Sequence, residues 1–214
     1  MGVFYRFQDS GLDDWKQENN YVQMGFRPGF AIQARELTQL QTFFQYQLDA
    51  IARSAGLNNG SLISPTSNVS MSRGNNNNWS ITINPSEFFI RPALRDFGYV
   101  VNSTSLLQLS SININPAETT HIYLVIEETQ VNPNGDEYPP GGGYAKVTVN
   151  EELNDNAQGF TNSSAPGASR YSINILDIAT RVEGEGNPPP NSIDFITFTN
   201  GFPYYSSNGN PVTY

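Results

Sequence analysis

The sequence predicts a mainly β protein, an antiparallel β-sandwich or small barrel of about seven strands, preceded by one long N-terminal amphipathic α-helix. Three observations carry that reading. From Trp79 onward, short β-branched or aromatic runs recur between Gly, Pro and Asn clusters. Ahead of them, one stretch alone repeats its apolar residues at steps of three and four. Charged residues make up only 14% of the 214-residue chain while Asn alone occurs 25 times, a composition of turns and amide-rich surfaces rather than of a solvated polyelectrolyte.

The elements follow in order. Residues 1–28 hold Phe4, Tyr5, Phe7, Trp15, Tyr21 and Phe26 with no period of 2 or 3.6. An aromatic segment this short cannot enclose its own core, so an extended arm lying along its own domain or a neighbouring subunit is expected. Residues 29–60 form the helical module. Pro28-Gly29 makes a turn, and Leu37, Leu40, Phe44, Leu48, Ile51 and Ala55 then make one apolar stripe on a helix over about residues 33–55. Gln39, Gln41, Gln45, Gln47 and Asp49 are expected on the opposite face. Gly56 followed by Leu57 reads as a Schellman stop, with the glycine at C′. The stripe belongs to its own domain, to copies of itself, or to another subunit; the residues alone leave all three open.

Residues 61–200 carry the strands: Trp79–Ile83, Glu87–Arg91, Ser105–Ile114, His121–Thr129, Tyr144–Val149, Ser169–Ala179 and Ile193–Thr199. The connections are turn material, including Asn132–Gly143 between two strands expected to pair. Ser72–Asn78 reads as a low-complexity loop without an apolar anchor. Residues 201–214 read as an irregular aromatic tail with Tyr204 and Tyr205 seeking another surface.

Charge and composition exclude several classes. A net charge of −9 with two Lys, Lys16 and Lys146, gives no cationic cluster for nucleic acid or an anionic membrane. With no Cys there is neither a disulfide framework nor a thiolate metal site. No apolar run is long enough to span a bilayer, and the N-terminus lacks the pattern of a secretion signal.

Catalytic chemistry is not indicated. His121 is the one histidine, it opens an apolar strand, and no HExxH, GxSxG or P-loop surrounds it. The acid pairs Asp13-Asp14, Glu127-Glu128 and Glu151-Glu152 read as solvated edges, because adjacent strand residues point to opposite faces. No catalytic, cofactor-binding or metal-binding residue is assigned, and no cofactor is expected. Trp79, Tyr204 and Tyr205, if exposed, offer surfaces on which sugar rings stack, although the same residues serve equally for burial between subunits.

The stretch from Pro28 to Gln41 fits a PGxAxxxRELxxxQ pattern through Pro28, Gly29, Ala31, Arg35, Glu36, Leu37 and Gln41, with Asn59-Gly60-Ser61 following. It resembles the N-terminal module of baseplate and tail-fibre structural proteins of contractile-tailed bacteriophages, notably those infecting cyanobacteria; Arg27 departs from the Asn of that pattern. The resemblance implies a structural virion component, a baseplate wedge or tail-fibre connector, made in the host cytoplasm. Its partners are then other phage tail and baseplate proteins and copies of itself, with a trimer favoured. Such an assembly would use Leu37, Leu40, Phe44, Leu48 and Ile51 on the helix, Phe4, Tyr5, Phe7 and Trp15 on the arm, and Tyr204 and Tyr205 on the tail. The alternative is a receptor- or glycan-binding module of a tail fibre.

Overall fold

A computed structural model describes residues 17–19, 23–92, 97–132, 146–150 and 170–214. The helix, α1, spans Ala34–Ser54. Gly29 takes φ +83° in the turn before it, and the Gln33 amide donates to Glu36 Oε2 at 2.8 Å, closing one side of a capping box. At the other end Leu57 N–H donates to Ala52 O and Gly56 N–H to Arg53 O, both at 3.0 Å. With Gly56 at φ +84° this is the Schellman stop expected from the sequence.

Eleven strands follow among the described residues: β1 Ser61–Leu62, β2 Val69–Arg73, β3 Asn78–Ile83, β4 Ser86–Ile90, β5 Tyr99–Ser103, β6 Leu107–Asn113, β7 Thr120–Asn132, β8 Lys146–Val149, β9 Arg170–Val182, β10 Ser192–Thr199 and β11 Phe202–Tyr205. They form three sheets, ordered β1-β4-β5, β2-β3-β6 and β11-β10-β7-β8, with β9 on the free edge of β7. In none of these orders do the described strands close into a barrel. The long β7 organises the largest sheet. On one edge its first half pairs with β10 and its last four residues with β8, while β9 runs antiparallel along the other edge from Thr120 to Val131.

The inner faces of all three sheets meet in one core. Trp79, Ile81 and Ile83 of β3, Phe88 and Ile90 of β4, Ile122, Leu124 and Ile126 of β7, and Phe195, Ile196 and Phe198 of β10 are all buried in it. The rings interlock edge to face, Phe88 on Phe195 at 5.4 Å and Trp79 on Phe198 at 5.2 Å between centroids. Each such side chain contributes about 1.5–3 kcal/mol when fully withdrawn from water.

The mainly β class with one N-terminal helix therefore stands, and all seven expected strands are present, but four more join them. β1 and β2 are short or Ser-rich. β11 contains Pro203, and it is an edge strand, where a missing ladder donor is tolerated. Residues 201–214 are accordingly not an irregular tail. β11 pairs with β10, and Val212 N–H bonds back to Pro203 O at 3.0 Å. The expected pairing of β7 with β8 occurs, but it is parallel; the loop between them lies outside the described residues. The Asn-rich loop after β2 is pinned rather than loose. Asn76 and Asn77 take φ 58°, a left-handed conformation that Asn tolerates, and Ile114 N–H donates to Asn77 O at 3.0 Å.

The acid pair at 127–128 also differs from expectation. Its two carboxylates do face opposite sides of β7, yet one side is interior. Glu128 is buried and accepts the Tyr171 hydroxyl at 2.5 Å. The other two pairs, Asp13-Asp14 and Glu151-Glu152, lie outside the described residues.

Candidate assembly surface

At 3.6 residues per turn, Thr42, Tyr46 and Asp49 fall on the side of α1 away from Leu37, Phe44 and Leu48. It is the side bearing Thr42, Tyr46 and Asp49 that meets the β body. Thr42 and Asp49 are buried. Tyr46 and Phe43 pack on Phe97, the Tyr46 ring meeting it edge-on at 6.1 Å. The Tyr99 hydroxyl donates to Gln45 Oε1 at 3.2 Å.

Asp49 anchors this face. It is 1% exposed, and its Oδ1 accepts the Gly98 amide at 2.8 Å. Arg53 Nε lies 2.9 Å from Oδ2 as an ion pair, off the line of a hydrogen bond, and Arg91 Nε lies 3.5 Å from Oδ1. A buried carboxylate needs such partners, since an isolated one is far too costly to desolvate. Gly98 is specified twice at this point. Besides donating to Asp49, it leaves room for the Phe89 ring, into which a Cβ at this position would run.

The apolar stripe faces away from the body. Leu37 is 50% exposed, Phe44 55%, Leu48 64% and Ile51 63%, while Leu40 at the margin is half-buried. Phe26, Phe30 and Ile32, in the segment leading into the helix, are exposed as well. Four of the five helical residues expected at an interface thus lie together on an open surface. An apolar stripe left exposed on a helix is uncommon on a monomer.

The remaining predicted interface residues divide differently. Phe4, Tyr5, Phe7 and Trp15 lie outside the described residues. Tyr204 is half-buried. Tyr205 is 7% exposed, packs on Phe195 at 5.7 Å, and belongs to the chain's own core; that burial raises its hydroxyl above the usual tyrosine range. Trp79 is not the exposed stacking platform that sequence alone allowed. It is buried between Phe198 and Tyr214, with the Arg73 guanidinium 5.8 Å from its ring centre.

One polar cluster went unseen in the sequence because β-pairing assembles it. His121 on β7 sits beside Asp194 and Thr197 on β10, with Ser206 just after β11. His121 Nδ1 is 2.8 Å from Asp194 Oδ2, and the Ser206 hydroxyl donates to Asp194 Oδ1 at 2.7 Å. Thr197 Oγ1 lies 3.3 Å from Nδ1 and 2.8 Å from Ser206 Oγ. Ser, His and Asp meet here, but the wiring differs from that of a nucleophile and its base. Both serine and histidine address the carboxylate, whereas a triad requires the serine on the imidazole. The network ties β7, β10 and the turn after β11 together, which accounts for His121 as a satisfied strand histidine.

No protein-family model matches the chain, and no curated protein matches it in sequence. Among solved structures, the crystal structure of TssK aligns with a TM-score of 0.31 and 10% identity, over 89% of this chain and 40% of that one. The chain therefore spans less than half the length of that protein. A TM-score of this size establishes neither a common fold nor a common role.

Proposed function

We propose that this protein is a non-catalytic structural subunit of a larger assembly, of the baseplate-wedge or fibre-connector kind that its N-terminal motif resembles. The outer face of α1 is its assembly surface. One observation carries the reading. The helix uses a buried carboxylate and two aromatic side chains to dock on its own body, and turns its apolar stripe outward. An amphipathic helix ordinarily buries such a stripe; one that presents it has a partner to receive it. The role as a virion part rests on the motif from Pro28 to Gln41, and the broad β body supplies a rigid platform that holds the helix in one orientation.

The glycan-binding alternative loses two of the three aromatics first considered for it, since Trp79 and Tyr205 are interior while Tyr204 is half-buried. The experiment is co-assembly. The Leu37→Asp, Phe44→Asp, Leu48→Asp variant is produced alongside the other tail proteins, and its content in purified particles is compared with that of the natural chain. Loss from particles, with an unchanged β-sheet circular dichroism spectrum, is expected. Incorporation at the natural level would refute the role given to the helix.

A further inference from the structure

We infer that the occupant of the outer face of α1 is the same face of a second copy of this chain. The inference rests on the reading of that face as an assembly surface, and it names what covers it. Three features of the face select a copy.

The first is spacing. The stripe residues 37, 40, 44, 48, 51 and 55 repeat at intervals of eleven, from Leu37 to Leu48, Leu40 to Ile51 and Phe44 to Ala55. Eleven residues in three turns is about 3.67 per turn, close to the natural 3.6, so the stripe runs almost straight along the helix. The left-handed supercoil of a heptad seam is not needed. Two identical straight stripes stay in contact along their whole length, about 32 Å for the 21 residues of α1.

The second is charge. The chain carries −9 overall, and surfaces of one sign repel when copies meet. The stripe carries no charge, and neither do Gln41 and Gln47, which lie about 60° to either side of Phe44 rather than opposite the stripe as expected. Glu36, at the edge of the first turn, is held by the Gln33 amide at 2.8 Å. The helical part of the face where copies would touch thus carries one charge at its margin, Glu36, and little like-charge repulsion. A partner chosen by electrostatic complementarity would call for charged flanks instead.

The third is area. On the stripe Leu37, Phe44, Leu48 and Ile51 are between 50% and 64% exposed, and in the segment leading into the helix Phe26, Phe30 and Ile32 are between 41% and 73% exposed. At about 200 Å² per large side chain the stripe alone presents roughly 450 Å². An interface that also takes in the leading segment approaches the roughly 800 Å² that each partner contributes to one of standard size. Phe44 stands midway between Leu37 and Ile51, so two copies of residue 44 meet whether the helices run parallel in register or antiparallel.

The test uses the full chain in sedimentation equilibrium across the micromolar range, together with two variants. The natural chain is expected at twice its own mass or more, and Phe44→Asp, Leu48→Asp at the monomer mass with unchanged β-sheet circular dichroism. Because the chain has no cysteine, Phe44→Cys supplies a single thiol, and mild oxidation is expected to yield a disulfide-linked dimer in most of the protein. If the Asp pair does not fold, the thiol variant decides alone, since absence of the crosslinked dimer overturns the inference. A natural chain that stays monomeric overturns it, as does an Asp variant that associates as strongly as the natural chain. A monomeric chain whose Asp variant is still lost from particles leaves the assembly-surface reading standing, with a different subunit as occupant.

Discussion

Removing Asp49 measures how α1 is held to the β body. The carboxylate is 1% exposed and receives the Gly98 amide at 2.8 Å, and a hydrogen bond to a charged group of this kind contributes about 1.5–3 kcal/mol. Arg53 and Arg91 also face it, but their side chains are 47% and 38% exposed, so each pair adds at most about 1 kcal/mol against solvent screening. Asp49→Ala should therefore weaken docking by about 3 kcal/mol. That raises the undocked population of the helix roughly 100-fold, at about 1.4 kcal/mol per factor of ten. Asp49→Asn keeps an acceptor for Gly98 without the charge and should lose about half as much. The main core includes no α1 side chain, so the loss stays local. The assay is native-state hydrogen exchange, with urea unfolding of the β body as control. Faster exchange in the amides of α1, with the urea midpoint of the sheets nearly unmoved, is the expected result. If α1 exchanges in Asp49→Ala as it does in the natural chain, the carboxylate does not hold the helix and the docking argument fails.

Other outcomes follow from the same geometry. Gly60 has φ +81°, and a Cβ there would stand 2.9 Å from Asp194 O; Gly60→Ala should cost about 1–3 kcal/mol in urea unfolding, and a change below a few tenths would contradict the close approach. Tyr214→Ala uncovers one face of Trp79; in a Trp15→Phe background its emission should shift to longer wavelength, and an unmoved maximum would show that Tyr214 does not shield the indole. Burial raises the Tyr205 hydroxyl above its ordinary value of 10.0. As pH climbs past that value the unfolded chain loses this proton first, so stability contributed below it falls with rising pH. Thermal melts should show that decline, and Tyr205→Phe should flatten it.

The body of the fold was legible because its strands obey simple patterning. Trp79, Ile81 and Ile83 alternate inward on β3, as period-2 reasoning requires. What escaped had physical causes. The sequence marks β7 through Thr129, but the strand continues to Asn132 with Thr129, Gln130 and Asn132 buried. Polar side chains give no inward signal, and a register shift between Val125 and Ile126 breaks the alternation. β11 was hidden by Pro203, and Glu128 by the convention that paired acids face water. For the proposed assembly surface, spacing grouped Leu37, Phe44, Leu48 and Ile51 on one side of the helix, but it did not give the direction that side faces. Amphipathicity shows that a helix has an apolar side; only the contacts of Asp49, Tyr46 and Phe43 show that the described β body packs on another side.

The two faces of the helix should act separately, and this separation can itself be tested. Phe44 and Asp49 lie five residues apart, about 140° around the helix at 3.6 residues per turn. One is 55% exposed on the outer stripe and the other is sealed against Gly98. Neighbouring residues usually couple, because they share partners or shift a common backbone. Here no described partner is shared, so Phe44→Asp should lower association while leaving α1 protection intact, and Asp49→Ala should do the reverse. In the double variant the two free-energy losses should add to within about 0.5 kcal/mol. A larger coupling, with Asp49→Ala alone abolishing association, would mean that the stripe works only when the body fixes its direction. Docking would then be part of the interface, and the β body would serve as the device that aims it.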